Sequence, residues 1–267
     1  MRQLRTHLFL LTLLPGSLAA AQQQTGFLDR TVALGGKPVR YQVYVSFDYA
    51  SKREWPVILF LHGAGERGTD GLRQTQVGLG AAIRKSPDRF PAIIVMPQAP
   101  PESIWRGRVA EMSLASLEQT TKEFRGDKTR TYVVGLSMGG YGAWTLALKH
   151  PSRFAAIVAV CGGILPPSHF TQLDAGLREK DPYGELARRL GGTPVWLFHG
   201  AQDSLVPPEE SRRIHRAFNQ AGYKINYTEY PDVGHESWDP AFGDRMLWDW
   251  WFEQRRSARD GGGKHER

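Results

Sequence analysis

Ser137 sits in "GLSMGGYGAW", residues 135–144, with Gly135 two positions before it and Gly139 two positions after. A serine hydroxyl is a poor nucleophile at neutral pH. Acyl chemistry there needs a base for its proton, a carboxylate to orient that base, and N–H donors for the oxyanion. The two glycines have a steric reason, since a serine on a sharp strand-to-helix turn leaves no room for side chains where strand and helix almost touch. The flanks fit that corner. Thr131 to Val134 is β-branched and aromatic, as in a buried strand, and Ala143 to Leu148 is rich in helix formers.

Eight histidines compete for the role of base. His7 lies near the amino terminus and His265 near the carboxyl terminus; His150 precedes Pro151 at a helix end, and His215 lies in a charged helical stretch. His62 and His199 each close a strand-like run with His-Gly, where turn-supporting hydrogen bonds are expected. His169 has no partner motif. His235, in "PDVGHESW", follows the last strand-like run and precedes the last helical one, so its loop can return to Ser137; it is the expected general base. Asp203, in "HGAQDSLVP", is the expected carboxylate, with a simple Asx turn or helix cap as the plainer alternative and Asp232 as the rival.

The elements that must position these residues alternate along the chain. Strand-like runs are Phe27 to Leu34, Val39 to Phe47, Val57 to Leu61, Ala92 to Met96, Thr131 to Val134, Phe154 to Val160, Val195 to Phe198 and Ile225 to Tyr230. The first two alternate apolar and polar residues like an antiparallel edge; most of the later ones are continuously apolar, like a parallel sheet covered on both faces. Helices are expected at Val109 to Phe124, Met138 to Lys149, Pro208 to Ala221 and Ala241 to Gln254. The pattern predicts an α/β architecture with a mostly parallel eight-stranded sheet, helices on both faces and no large cap domain.

The 267 residues, 41% of them hydrophobic, suffice for one large domain, expected over residues 22–254. Arg2, Arg5 and His7 precede the apolar run Leu8 to Leu14, with small residues at Ala19 and Ala21, so residues 1–21 read as a cleaved signal peptide and the protein as exported, to the periplasm or beyond. An apolar run of about seven residues is too short to cross a bilayer that needs roughly 20, so no stable membrane insertion is expected. Much of the net charge of +7 belongs to the leader and to residues 255–267, read as a disordered basic tail; the body is left with +2, which argues against a nucleic-acid partner. Cys161, the single cysteine, ends "FAAIVAVC" and reads as a buried structural thiol.

The pieces "FLHGAGERG", "GLSMGGYGAW", "HGAQDSLVP" and "VGHESW", spanning residues 60 to 238, resemble the α/β-hydrolase family, and within it secreted bacterial esterases related to carboxylesterase/phospholipase and prolyl-oligopeptidase-like hydrolases. The resemblance implies ester hydrolysis through a triad of Ser137, Asp203 and His235, with no cofactor. The order Ser, Asp, His is that of the fold. Backbone N–H groups of Met138 and of the glycine-rich "LHGAGERG" loop are the expected oxyanion donors, with Ala64 favoured over Gly63 and Gly65. A phosphate cradle is excluded there because no G-K-[ST] ending follows.

Glu66 and Arg67 are expected to pair and hold that loop. Trp105, in "APPESIWRG", is expected to wall the acyl or alcohol site, with a surface cover as the alternative; Trp248, Trp250 and Trp251 are expected in the packing of the last helix. Catalytic metal chemistry lacks a spacing such as H-E-x-x-H, so no metal ligand is assigned. The expected substrate is a small or polysaccharide-linked carboxylic ester with a short acyl or a feruloyl-type aryl group. A phospholipase, a peptidase of the same fold, and a noncatalytic binding protein on this scaffold are the alternatives.

Overall fold

The computed structural model describes residues 24–49 and 54–256. The expected leader, residues 1–21, and residues 257–267 of the expected tail lie outside the described residues.

Eight strands form one sheet in the order β1-β2-β4-β3-β5-β6-β7-β8. They are β1 (Gly26–Leu34), β2 (Lys37–Val45), β3 (Trp55–Leu61), β4 (Ile93–Pro97), β5 (Gly126–Leu136), β6 (Ala156–Val160), β7 (Val195–Gly200) and β8 (Asn226–Tyr230). β1 and β2 form an antiparallel hairpin, β2 joins β4 antiparallel, and every pairing from β4 to β8 is parallel. The change from alternating to continuously apolar sequence marks the same boundary: β3, β4 and β6 are buried at every position.

Alternate residues of the parallel strands feed two separate cores, as the two-residue period of a strand requires. Val57, Leu59, Val133, Ile157 and Leu197 face one side, where they meet Leu117, Trp144, Leu186 and Ile214 of α2 (Gly107–Glu123), α3 (Met138–Lys149), α4 (Pro182–Leu190) and α5 (Glu209–Gln220). Ile58, Phe60, Tyr132, Val134, Val158 and Phe198 face the other, against Ile83, Phe242, Trp248 and Trp251 of α1 (Leu79–Lys85), α6 (Trp238–Gly243) and α7 (Arg245–Glu253).

Three differences from the sequence reading stand out. Helix α4 is absent from the expected helices; Asp181 accepts a hydrogen bond from the Gly184 N–H and Pro182 opens the helix, a regular N-terminal signal. Helix α1 begins at Leu79, and the last helical stretch is two helices separated at Asp244. At the far end of the chain, the Arg256 N–H donates to Thr129 O at 2.9 Å, and Arg255 Nη1 lies 3.2 Å from Asp127 Oδ2. These contacts fasten residues 255 and 256 to β5.

Candidate active site

The corner after β5 carries the strain expected of it. Ser137 has φ 51° and ψ −119°, a conformation costing on the order of 1–3 kcal/mol for a non-glycine residue, and α3 starts at the next residue. The crowding is backbone on backbone: a Cβ on Gly135 would lie 1.9 Å from Gly139 O, and one on Gly139 would lie 1.9 Å from Leu61 O. Only glycine fits at either place, and the turn lifts the half-buried Ser137 side chain clear of the sheet.

The loops after β7 and β8 bring two more residues to it. His235 Nε2 lies 2.9 Å from Ser137 Oγ, and His235 Nδ1 lies 2.7 Å from Asp203 Oδ2. A carboxylate only accepts, so Nδ1 carries the hydrogen and Nε2 is left to accept from the Ser137 hydroxyl. Asp203 is saturated. Its Oδ1 accepts from the Leu205 and Val206 N–H groups, both at 2.9 Å, and its Oδ2 also lies 3.2 Å from His199 Nε2. Burial pushes this carboxyl up, but the bonds from His199, His235 and Val206 outweigh it and hold it well below the ordinary carboxylate range. The Asx turn and the contact to His235 are therefore made by different oxygens of one residue. Asp232, the rival, is exposed.

The ring of His235 stands edge-on against Trp238, with centroids 5.5 Å apart and planes at 89°. Sequence reading had no signal for that neighbour. It also undervalued His199 as a turn support. The ring is fully buried, with Nδ1 2.7 Å from Ser211 Oγ and Nε2 shared between Val206 O at 3.0 Å and Asp203.

The loop after β3 passes beside Ser137 and is tied from below. His62 is fully buried; its Nε2 accepts from the Ala99 N–H at 2.9 Å, which leaves Nδ1–H to donate to Gly63 O at 2.6 Å. Burial drives the ring's pKa down to about 4, so it works as a neutral donor and acceptor. Because the Gly63 carbonyl and the Ala64 N–H belong to one planar trans peptide, fixing the carbonyl toward His62 turns the Ala64 N–H the opposite way. Arg67 Nε adds a bond to Ala64 O at 2.9 Å. The Ala64 N–H opens a short 3-10 turn, and the Met138 N–H opens α3, positions whose N–H groups have no partner within their own helix.

Two expectations about this loop are corrected. Among the described residues Glu66 and Arg67 form no ion pair: Arg67 bonds Ala64 O and lies over the Phe170 ring, while burial pushes the Glu66 carboxyl up as it accepts from the Gly63 N–H. Trp105 lies beneath the loop instead of walling a cleft. It is 2% exposed, its indole N–H donates to His62 O at 2.9 Å, and its ring meets the His62 ring edge-on.

Residues 161–181, after β6, are the longest described stretch without helix or strand. Glu210 holds its start by accepting from the Ile164 and Leu165 N–H groups at 2.9 and 3.1 Å, and Phe170 reaches the loop after β3 under Arg67. β5 lies between β3 and β6, so this contact crosses in front of the Ser137 corner. Outside it a polar cavity of about 400 Å³ opens beside Ala64, lined also by Arg67, Thr69, Asp70, Arg73 and Glu102.

With that geometry in hand, comparison with known proteins decides the family. The Esterase family model matches residues 33–247. The chain belongs to the Esterase family. It is 23% identical over 259 residues to a poly(3-hydroxyoctanoate) depolymerase of Pseudomonas fluorescens, covering 89% of this chain and 87% of that one. It is 25% identical over 223 residues to feruloyl esterase B of Thermothelomyces thermophilus, covering 72% and 74%. Among solved structures, a thermostable esterase superposes with a TM-score of 0.73 at 30% identity, over 86% of this chain and 63% of that one. Some relatives are far longer: this chain spans 26% of the length of a secreted protein of Arthroderma benhamiae, to which it is 25% identical over 86% of its own length. The fold is that of the α/β hydrolases, as its motifs led one to expect. Among the described residues no helix is long and apolar enough to cross a membrane.

Proposed function

We propose that the protein is an exported serine esterase that cleaves carboxylic esters through an acyl-enzyme on Ser137. The observation behind this reading is the continuous chain from Ser137 Oγ through both nitrogens of His235 to Asp203, at 2.9 and 2.7 Å. His235 takes the serine proton as Oγ attacks the acyl carbon and returns it to the leaving alcohol; Asp203 holds the reacting tautomer and steadies the imidazolium formed. The carbonyl oxygen, now anionic, meets the Ala64 and Met138 N–H groups. Water then repeats the sequence on the acyl-enzyme and releases the acid.

Short acyl and aryl esters suit the site best. Segment 161–181 is tied across the corner and too short for a separate cap, so little wall is present to bury a long chain at about 0.8 kcal/mol per methylene. Phe170 offers an aromatic surface and the 400 Å³ cavity a polar one. Feruloyl esters, after the feruloyl esterase among the relatives, and hydroxyalkanoate esters, after the poly(3-hydroxyoctanoate) depolymerase, are the natural candidates for such a pair of surfaces.

One experiment tests the reading. p-Nitrophenyl acetate and butyrate should be cleaved with higher kcat/KM than the palmitate ester, and Ser137→Ala should lose about 10⁶-fold in kcat together with fluorophosphonate labelling while remaining folded. Persistent labelling of the alanine variant would move the nucleophile elsewhere, and a preference for palmitate would sink the short-acyl assignment.

A further inference from the structure

We propose that Cys161, Asp203 and His235 together form a binding site for a soft divalent cation of the zinc or cadmium type, and that filling it switches the esterase off. The inference rests on the triad reading above for its consequence, but not for the binding itself.

Cys161 follows β6 as Ser137 follows β5, and it too has a positive φ, 42°. Its side chain is fully buried and reaches under the triad. The sulfur, a carboxylate oxygen of Asp203 and a ring nitrogen of His235 all lie within 4.8 Å of one another. Thiolate, carboxylate and imidazole are the ligand types that zinc prefers, and its bond lengths of about 2.0–2.3 Å put tetrahedral ligands roughly 3.3–3.6 Å apart. The sulfur must close on the other two ligands by at most about 1 Å, and where His235 Nδ1 and Asp203 Oδ2 are the ligands, now 2.7 Å apart, they must part by a little under 1 Å, both within the reach of small side-chain rotations.

A buried hydroxyl points to the same place. Ser237 Oγ is fully buried, faces the Cys161 sulfur and makes no hydrogen bond to nitrogen or oxygen among the described residues. A sulfur is a weak acceptor, so this oxygen holds unused bonding capacity beside three metal-ligand groups. Ser237 is placed to supply a fourth ligand.

Binding releases the thiol proton to solvent and forms bonds from the cation to thiolate, carboxylate and imidazole; the two anionic ligands neutralise its charge. The consequence for turnover follows from the imidazole. If Nε2 is the ligand, its lone pair is no longer available to Ser137. If Nδ1 is the ligand, the remaining proton moves to Nε2, which becomes a donor and cannot accept the serine proton. Soft thiolate ligation selects zinc and cadmium over magnesium and calcium, and the depth of Cys161 makes the onset slow.

The test uses the whole protein with zinc chloride, cadmium chloride, and magnesium and calcium chlorides as controls. Ester turnover should decay over time in zinc or cadmium and return on adding a chelator, with no effect of magnesium or calcium. Cadmium should also raise Tm and bring up the ultraviolet cadmium–thiolate absorption, readouts that stand even if the protein cleaves none of the esters tried. In Cys161→Ala, and in Cys161→Ser should the alanine variant fold poorly, the absorption should vanish. The metal concentration that halves each variant's own metal-free rate should rise by at least about tenfold. Equal inhibition of the cysteine variants would assign the metal to other groups, and a wild-type protein that shows neither inhibition nor cadmium–thiolate absorption would overturn the proposal.

Discussion

The same dipeptide follows β3 as His62-Gly63 and closes the parallel strand β7 as His199-Gly200, and both rings are fully buried. Both are pinned through both nitrogens. Their targets differ. His199 reaches Asp203, a side chain that three other donors also hold: the Leu205 and Val206 N–H groups and His235. His62 instead grips backbone, the Gly63 carbonyl on one side and the Ala99 N–H on the other, and so sets the direction of the Ala64 N–H. The same residue in the same position serves a shared task at β7 and a nearly unshared one at β3. Burial alone would rate them equal; the count of parallel supports does not.

The largest effect expected on the β7 side comes from the group His199 supports. Asp203→Asn keeps the shape but loses the acceptor that fixes the His235 tautomer, so kcat should fall by about 10⁴-fold with the protein still folded. Asp232→Asn, at an exposed position three residues before His235, should leave kcat within a few-fold of the parent. Steady-state kinetics and circular dichroism on both variants check this, and a damaging Asp232 change with a benign Asp203 change would reverse the assignment.

The next effect separates the two histidines. His62→Ala frees the Gly63–Ala64 peptide, and losing the alignment of one oxyanion donor costs about 10²–10³-fold in kcat. KM should change little. His199→Ala removes one bond to a charged carboxylate, about 1.5–3 kcal/mol of stability, but three donors remain and kcat should drop far less than in His62→Ala. The discriminating measurement is the rate ratio of an ester to its thionoester, because a sulfur anion uses an oxyanion hole poorly. That ratio should shrink in His62→Ala and persist in His199→Ala; equal shrinkage would mean that His62 acts only through general stability.

This asymmetry also marks where the sequence stops being informative. Gly135, Ser137 and Gly139 were readable because local sterics demand them, and the sheet was readable because its strands change from alternating to continuously apolar sequence between β2 and β3, although Tyr41 to Val45 of β2 are themselves all buried. Asp203 and His235 were readable as loop residues after β7 and β8. His62 and His199 were readable as turn supports, but their partners Ala99 and Ser211, and the partner of Trp105, lie 37, 12 and 43 positions away and no spacing rule joins them. Cys161 was correctly expected to be buried, yet its place under Asp203 and His235 depends on how β6 and β7 sit side by side. Helix α4 is different again: Asp181 and Pro182 did signal its start, but its nine residues were given no element.

The smallest expected effect concerns acid stability, and it tests whether His62 is held neutral. Burial lowers its pKa to about 4, helped by the nearby Arg67 charge and opposed by the bond to the Gly63 carbonyl, whereas an unfolded histidine titrates near 6.5. Between those values the unfolded chain binds a proton that the folded chain refuses. Stability therefore falls as pH drops through that window, by a slope approaching about 1.4 kcal/mol per pH unit. Asp203 works in a lower window: its folded pKa is depressed, so its contribution is complete above the ordinary carboxylate value of 3.8 and is lost only below it. His150 and His215 are also shifted down, but both are partly open to solvent, which screens their share. His62→Gln retains one donor and one acceptor without an ionisable ring. Tm measured from pH 7 to 4.5 should decline steeply in the parent and more gently in His62→Gln. Parallel declines would place the titrating group elsewhere and leave the neutral His62, and with it the fixed Gly63 carbonyl, without support.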